Sequence, residues 1–264
     1  MNSYQYKPIT LGESVEMKAG EGFFHESADL RIWVRKTKET VDLFSTYSSP
    51  QKNTDPPTKA LWKKQFALED KVKVGFLPAM PDLPVQLTFN EPLFIPGGSG
   101  ITFYYLLPTW VSVRIGKQMD VSLGEFHSFQ LSHTWDGNFF EGELVYEDFP
   151  EVFFEPKTDS FPYFIIVPIE IKNKSNTNLL VIKQIIRVDN LSIYNNEQNF
   201  WANRTLFEYG KSSELLDVKF IQNMPKNYGK FTLVQKSKSQ DKKSILTKYF
   251  DPIKMKHTLI LPNR

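Results

Sequence analysis

Histidines and carboxylates are the side chains of this sequence whose types could support catalysis or metal binding. His127 and His133 lie close in sequence to Asp136, Glu141 and Glu143, and two histidines with carboxylates form an acceptable ligand set for a divalent metal ion. If both histidines lie on one strand, however, their spacing separates them by roughly 20 Å. We therefore expect ordinary surface histidines and no bound metal.

The acidic–aromatic region supports a second possibility, carbohydrate chemistry. Residues 125–159 contain nine acidic side chains and a single lysine, with aromatic residues between them. Glu141 and Glu143 are one strand repeat, roughly 7 Å, apart, which lies in the range of about 5–10 Å that glycoside hydrolases use between their two carboxylates. Because nothing else indicates a cleft, we favour a solvated acidic rim beside a packed aromatic layer.

The residues of this possible ligand or interaction surface come from the same region and from one tryptophan before it. Trp and Tyr side chains are the ones on which a sugar ring would stack. The surface would contain Trp110, His133, Trp135, Glu141, Glu143 and Tyr146.

Other catalytic signatures are missing from the sequence. The absence of cysteine excludes a thiol nucleophile and Cys-ligated metal sites. The glycine-rich stretch 96–100 has no following lysine and opens a strand-like run, so it is not a phosphate-binding loop and instead predicts a hairpin turn. No Gly-x-Ser-x-Gly motif is present. The sequence therefore predicts neither an enzyme nor a cofactor.

The charge balance hides two opposed segments. The whole chain carries a formal net charge of only +2, which argues against nucleic-acid binding. Residues 211–264, however, contain twelve lysines and arginines against four acidic residues, opposite in sign to residues 125–159. Lysines alternate with apolar residues over 230–236, which predicts a strand with a lysine-protected edge. Complementary segments of this kind could meet within one chain or between two copies.

Period-two alternation places these residues in a strand-rich fold. Leu30, Ile32 and Val34 alternate with polar residues and with Trp33, which predicts a strand with one buried face and Trp33 covering the other. The run 164–172 predicts another strand, at an edge or with a bulge at Pro168 because proline cannot donate a hydrogen bond.

The sequence also contains one clear turn signal and two weak helix signals. Asp136, Gly137 and Asn138 predict a hairpin between two aromatic strands. A short helix is the most that residues 59–70 suggest, and residues 197–209 fit a helical turn or a strand about equally well.

The predicted fold class is therefore all-β, with little helix and two β-sandwich lobes. A polar segment with proline at 155–160 separates an N-terminal lobe, residues 1–155, from a C-terminal, immunoglobulin-like lobe, residues 156–264. No apolar run has the length of a signal peptide or a membrane span, so we expect a cytoplasmic protein that is not integral to a membrane.

Several of these strand-and-turn patterns resemble an uncharacterised prokaryotic family, domain of unknown function 432. The segment 88–103 (TFNEPLFIPGGSGITF) is similar to a block of the family, and 105–113 (YLLPTWVSV) to its continuation. The strand 164–172 followed by Asn173, Lys174 and Ser175 is similar to a further strand and turn. The resemblance covers roughly residues 75–210 and implies a β-sandwich without implying an activity.

Together these features favour a non-enzymatic β-sandwich protein that acts through protein–protein contacts or self-association. A protein partner or homo-oligomer is the expected assembly. The alternative is a carbohydrate-binding or hydrolytic protein that uses the acidic–aromatic region 125–155.

Overall fold

Strands dominate the computed structural model, which describes residues 4–47, 55–56, 62–67, 72–156, 159–211, 215–225 and 228–239. Among these residues one short 3₁₀ helix covers Val188–Asn190. The strands are β1 (Tyr6–Pro8), β2 (Ser14–Met17), β3 (Gly22–Ser27), β4 (Leu30–Lys36), β5 (Thr40–Tyr47), β6 (Trp62–Ala67), β7 (Val72–Ala79), β8 (Val85–Ile95), β9 (Gly100–Pro108), β10 (Trp110–Ile115), β11 (Val121–His127), β12 (Ser132–Asp136), β13 (Glu143–Asp148), β14 (Phe164–Asn173), β15 (Leu179–Ile186), β16 (Ile193–Asn195), β17 (Phe200–Ala202), β18 (Arg204–Tyr209), β19 (Leu215–Ile221) and β20 (Thr232–Gln235).

The strands form four sheets, and the all-β prediction is confirmed. Sheet A has the strand order β1-β3-β4-β5-β6, and sheet B the order β11-β10-β7-β2. Sheet C has the order β12-β13-β8-β15. Sheet D has the order β19-β18-β14-β17-β16-β20, and β9 pairs with β14. In the part of the chain described, no helix is long and apolar enough to span a bilayer.

Two helical expectations meet different outcomes. The prediction of a short helix within 59–70 is wrong, because residues 62–67 form β6 and pair antiparallel with β5 at the edge of sheet A. The three apolar positions of that segment fitted a helical stripe only loosely, and tertiary pairing decided the conformation. In 197–209 the strand alternative is confirmed, as β17 and β18.

One continuous hydrophobic core connects all four sheets. It contains Ile32 from sheet A, Phe76 from sheet B, Leu87 from sheet C and Val167 from sheet D, each of them fully buried. Burial of apolar area contributes about 25 cal/mol per Å², so this shared core is the main stabilising contribution to the fold.

A second, smaller cluster covers the opposite face of sheet A. Trp33 is only 2% exposed and packs there with Tyr6 and Phe44, whereas the aliphatic residues that alternate with it along β4 point into the main core. This confirms the prediction from the alternation that Trp33 covers the outer face.

Pro168 lies in the interior of sheet D, so the edge prediction is wrong. Pro168 is paired with Tyr104 of β9, but the backbone N–H and C=O of Tyr104 point away from β14 and exchange hydrogen bonds of 2.7 and 3.1 Å with Phe153. The two residues therefore form a non-hydrogen-bonded pair, in which the nitrogen of Pro168 faces away from β9. On that other edge β17 pairs as far as Ile166, and β18 begins to pair at Ile169. The missing N–H therefore falls in the gap between two neighbouring strands.

The glycine-rich loop turns the chain as predicted but does not form a hairpin. β8, which ends at Ile95, pairs with β13 and β15 in sheet C, whereas β9, which begins at Gly100, pairs with β14 in sheet D. The loop bonds to the connection between β14 and β15 instead: Gly98 N donates to Ser175 O at 2.9 Å, and Asn173 N donates to Ser99 O at 2.8 Å. Glycine signals a turn but not which strands pair.

Asn173 fastens these two loops to each other. Its buried amide Nδ2 donates to the carbonyl oxygens of Ile95 at 3.0 Å, Pro96 at 3.2 Å and Thr177 at 2.8 Å. Its Oδ1 accepts hydrogen bonds from the backbone N of Ser175 at 3.1 Å and from its Oγ at 2.7 Å. Two of the segments that resemble the family, 88–103 and 164–175, are thus the two halves of one hydrogen-bonded joint.

Strands on either side of residue 155 share sheets C and D. β8 and β9 precede that residue and pair with β15 and β14, which follow it. The division into lobes 1–155 and 156–264, and the immunoglobulin-like form of the second, stay predictions.

We expect Asn173→Ala to lower the free energy of unfolding by about 2–4 kcal/mol, because several buried backbone groups lose their partner at once. Urea denaturation measures this change. The exposed Asn178 of the same connection is the control, and Asn178→Ala should change stability by less than about 0.5 kcal/mol. Equal effects of the two substitutions would contradict the role of Asn173.

Candidate functional site

His127 and His133, which the sequence spacing predicts to be too far apart to share a ligand, border the same cavity. His127 ends β11 and His133 lies in β12, so they occupy different strands of different sheets. Both imidazoles line one small cavity together with Trp110 and Tyr146. The estimate of roughly 20 Å assumed a single strand through both residues, and that assumption is wrong because the chain turns between them.

Five rings form a continuous row at this place, which we call the aromatic cleft: Tyr47, His127, Trp110, Tyr146 and His133. The centroids of Tyr47 and His127 are 4.5 Å apart and the rings are nearly parallel. Trp110 is 5.8 Å from His127 and 6.1 Å from Tyr146, at steep interplanar angles. His133 completes the row at 4.7 Å from Tyr146. Strands of sheets A, B and C thus contribute to one surface.

Two cavities open on either side of Trp110 and His127. The smaller has a volume of about 80 Å³ and includes Tyr146, His133 and Leu131 in its wall. The larger has a volume of about 320 Å³ and is bordered by Tyr47 and Glu125, among others. The cleft is therefore a pair of adjoining, largely aromatic spaces.

Three titratable rings of the cleft, Tyr47, His127 and Tyr146, are held neutral. The Tyr146 hydroxyl donates a hydrogen bond to Asp82 Oδ1 at 3.0 Å, and burial together with this bond raises the pKa of Tyr146 above its ordinary value. Burial raises the pKa of Tyr47 to about 12. Burial lowers the pKa of His127, an effect that the nearby Asp82 carboxylate opposes. Charge at the smaller cavity therefore comes chiefly from Asp82.

The hairpin of β12 and β13 carries the other predicted residues, and it is confirmed as a hairpin. Asp136 pairs with Glu143, and the turn covers 137–142. Asn138 Oδ1 accepts hydrogen bonds from the backbone N of Phe140 and Glu141, both at 2.9 Å, which shapes the tip. Gly142 is required there, because a Cβ atom would lie 2.0 Å from the indole nitrogen of Trp135.

Exposed aromatic side chains cover this hairpin and the segment after it. Phe139 and Phe140 are 87% and 91% exposed and contact each other edge to face at 5.4 Å. Trp135, Phe149 and Phe154 are each more than half exposed. The expectation of a packed aromatic layer is wrong for these residues, because the turn after β12 is longer than a tight hairpin and lifts the two phenylalanines away from the sheet.

The predicted site residues therefore fall into two groups. Trp110, His133 and Tyr146 meet in the aromatic cleft, whereas Trp135, Glu141 and Glu143 lie nearer the tip of the same hairpin and line neither cavity of the cleft.

The two candidate carboxylates have different surroundings. Arg187 holds Glu143 in an ion pair with a hydrogen bond of 2.6 Å, and Glu141 is exposed in the turn. Neither cavity of the cleft is lined by these carboxylates.

A direct contact joins the acidic and basic segments. Lys238 Nζ lies 2.8 Å from Glu125 Oε2 and donates to the carbonyl oxygen of Met80 at 3.0 Å. Residues 240–264, which contain most of the remaining basic residues, lie outside the described part of the chain. The strand predicted over 230–236 is confirmed as β20, at the edge of sheet D.

A larger cavity, about 400 Å³, lies elsewhere, where β1 and β3 face residues 160–163 and 195–200. His25 borders it and is 3% exposed, with Nδ1 3.0 Å from the carbonyl oxygen of Ile9. Burial lowers the pKa of His25, so neutral imidazole donates this hydrogen bond. Nε2 has no partner among the described residues.

The described residues contain no metal site, and two residues of the cleft come from distant parts of the sequence. Over the described ranges no three His, Cys, Asp or Glu side chains are grouped so that they could hold a metal ion. Tyr47 and Asp82 belong to the cleft but lie far from it in sequence. No local spacing connects them to His127, so sequence reasoning had no signal for them.

Comparison with known proteins yields a family and no characterised relative. The family model described as Protein of unknown function (DUF432) matches residues 13–256 of the 264-residue chain. The match extends well beyond the segments whose patterns suggested it. No curated protein and no solved structure matches the chain.

The lowered pKa of His127 predicts a pH dependence of stability. In the folded protein His127 stays neutral below pH 6.5, whereas the unfolded chain takes up a proton there, so stability is lost as the pH falls through the folded pKa. We expect the free energy of unfolding to decrease below pH 6.5 with a shallower slope in His127→Gln.

Urea denaturation at a series of pH values measures these slopes. His25 contributes in the same direction in every variant, and Asn178→Ala, which changes no titratable group at an exposed position, is the control. An unchanged slope in His127→Gln would contradict the assignment.

Proposed function

The chain belongs to the DUF432 family of proteins of unknown function, and from that premise we propose that it is a non-enzymatic protein that acts through contacts with other protein chains. Its first partner in this proposal is a second copy of itself. A cytoplasmic location belongs to the same proposal.

The exposed aromatic tip of the β12–β13 hairpin carries this proposal. Phenylalanines that are 87% and 91% exposed offer apolar area that folding of the chain has not buried, and aromatic residues are enriched where proteins contact each other. The hairpin that presents them is well anchored, since Asp136 and Glu143 form ion pairs with Lys183 and Arg187 of the segment from β15 onward. A rigid tip loses little conformational entropy on binding.

Charge complementarity favours the chain's own C-terminal segment as the occupant. The tip has an exposed carboxylate at Glu141. Residues 240–264 carry six lysines and arginines and two acidic residues, interspersed with apolar side chains. In our proposal this segment of one copy contacts the hairpin of another, and attraction between opposite charges sets its register.

The carbohydrate alternative has weaker support. Trp110 and Tyr146 meet in the aromatic cleft, but Trp135 and the two candidate carboxylates lie nearer the hairpin tip and line neither of its cavities. A hydrolase needs its carboxylates on opposite sides of a bound sugar, and Arg187 engages one of them. We therefore place protein contacts first.

Self-association should depend on salt and on the hairpin tip. We expect the full-length chain to form dimers or larger oligomers at low ionic strength and to dissociate in about 0.5 M salt, where charges are screened beyond a few Å. Replacing both Phe139 and Phe140 by serine should raise the dissociation constant at least about ten-fold. Light scattering over a concentration series measures both effects.

Matched variants separate this contact from a general change of surface. Phe94→Ser alters another exposed phenylalanine, 58% accessible, and should leave association unchanged. Lys242→Glu with Lys243→Glu should weaken association, whereas Lys117→Glu with Lys211→Glu, at exposed positions elsewhere, should not. A monomer at every ionic strength and concentration, or a segment that docks only on its own chain, would refute the proposal.

A further inference from the structure

The smaller cavity of the aromatic cleft has the composition of an aromatic cage. Its walls contain the indole of Trp110, the phenol of Tyr146 and the imidazoles of His127 and His133. Trp110 is inclined by 62° to Tyr146 and by 63° to His127, so neighbouring walls meet at steep angles instead of stacking flat. A volume of about 80 Å³ gives room for a few water molecules or one small organic ion.

Electrostatics favour a positive ligand in this space. Tyr146 donates its hydroxyl hydrogen to Asp82 at 3.0 Å, so a carboxylate lies at the hydroxyl end of one wall. Among the described residues no ion pair joins Asp82 to a basic side chain within 4.0 Å. Lys238 forms an ion pair at 2.8 Å with Glu125, a residue of the larger cavity's wall.

The buried imidazole and the aromatic faces of the cage do not oppose a cation. Burial lowers the pKa of His127, so this imidazole is neutral near pH 7. Its Nδ1 atom is buried without a hydrogen-bond partner in the described part of the chain. His133 lies at the exposed end of the row of rings. The faces of Trp and Tyr carry negative electrostatic potential, and Trp is the strongest cation–π partner among the side chains.

We propose that this cage binds a small alkylammonium ion, with Trp110 and Tyr146 contacting its methyl groups and Asp82 compensating its charge. The site is separate from the hairpin tip that carries the proposed protein contacts, so either can fail without the other. Methyl groups on a charged nitrogen share its positive charge and are apolar enough for an aromatic wall. A bare alkali ion would lose its water without gaining oxygen ligands, and so should not bind here.

Calorimetric titration of the full-length protein with trimethylammonium chloride tests the proposal directly. An ion with four non-hydrogen atoms should bind with a dissociation constant of about 1–10 mM. Tetramethylammonium chloride tests whether an N–H group adds to the binding. Potassium chloride at the same concentration controls for ionic strength, and 3,3-dimethylbutan-1-ol provides a neutral ligand with three methyl groups.

Two variants and a control assign the binding to the cage. Asp82→Asn keeps the shape of an exposed side chain and removes its charge, and should weaken binding about ten-fold. Trp110→Phe retains an aromatic ring with a weaker quadrupole and should weaken binding about three-fold to ten-fold. Glu91→Gln removes an exposed charge from β8 and should have no effect.

Each outcome decides the question. Saturable binding of the ammonium ions that falls in Asp82→Asn, but not in Glu91→Gln, would support the cage. No heat beyond that of potassium chloride, equal binding of the neutral alcohol, or equal affinity in wild type and Asp82→Asn would overturn it. If Trp110→Phe fails to fold, the comparison of Asp82→Asn with Glu91→Gln still decides.

Discussion

Strand β14 must satisfy its backbone hydrogen bonds on both edges while most of its residues are buried, and the arrangement of sheet D follows from this constraint. An unpaired buried N–H or C=O group costs about 1–3 kcal/mol, so both neighbours are required. β9 satisfies one edge along almost its whole length, and β17 and β18 share the other. The one N–H that β14 lacks, at Pro168, coincides with the gap between them.

The ends of β14 also determine where sheet C lies. Asn173, its last residue, donates hydrogen bonds to the loop that follows β8. The loop between β8 and β9 and the loop between β14 and β15, which both connect sheets C and D, are therefore bonded to each other. β8 in turn pairs in parallel with β13. The hairpin and the Tyr146 wall of the cleft are therefore positioned by a joint that lies outside both.

Local patterns predicted the elements well and their partners poorly. Alternation along β4 predicted which side chains enter the core and that Trp33 covers the outer face, because that information lies within one strand. The glycine-rich loop predicted a turn, but whether two strands pair across a turn depends on the rest of the sheet. The helix prediction for residues 62–67 failed for the same reason, because pairing with β5 determined that this segment is a strand. Pairing is a long-range property that spacing does not contain.

The candidate site shows the same limit more sharply. The separation of His127 and His133 along the chain predicts that they lie far apart, yet the turn between β11 and β12 places both at one cavity. Asp82 and Tyr47 join them from distant segments.

The composition likewise shows that the chain is rich in aromatic residues, but it does not predict which of them lie in a buried cleft and which at an exposed tip. The difference is physical. Rings in the cleft pack against each other, whereas Phe139 and Phe140 at the tip contact each other and stay 87% and 91% exposed until another surface covers them.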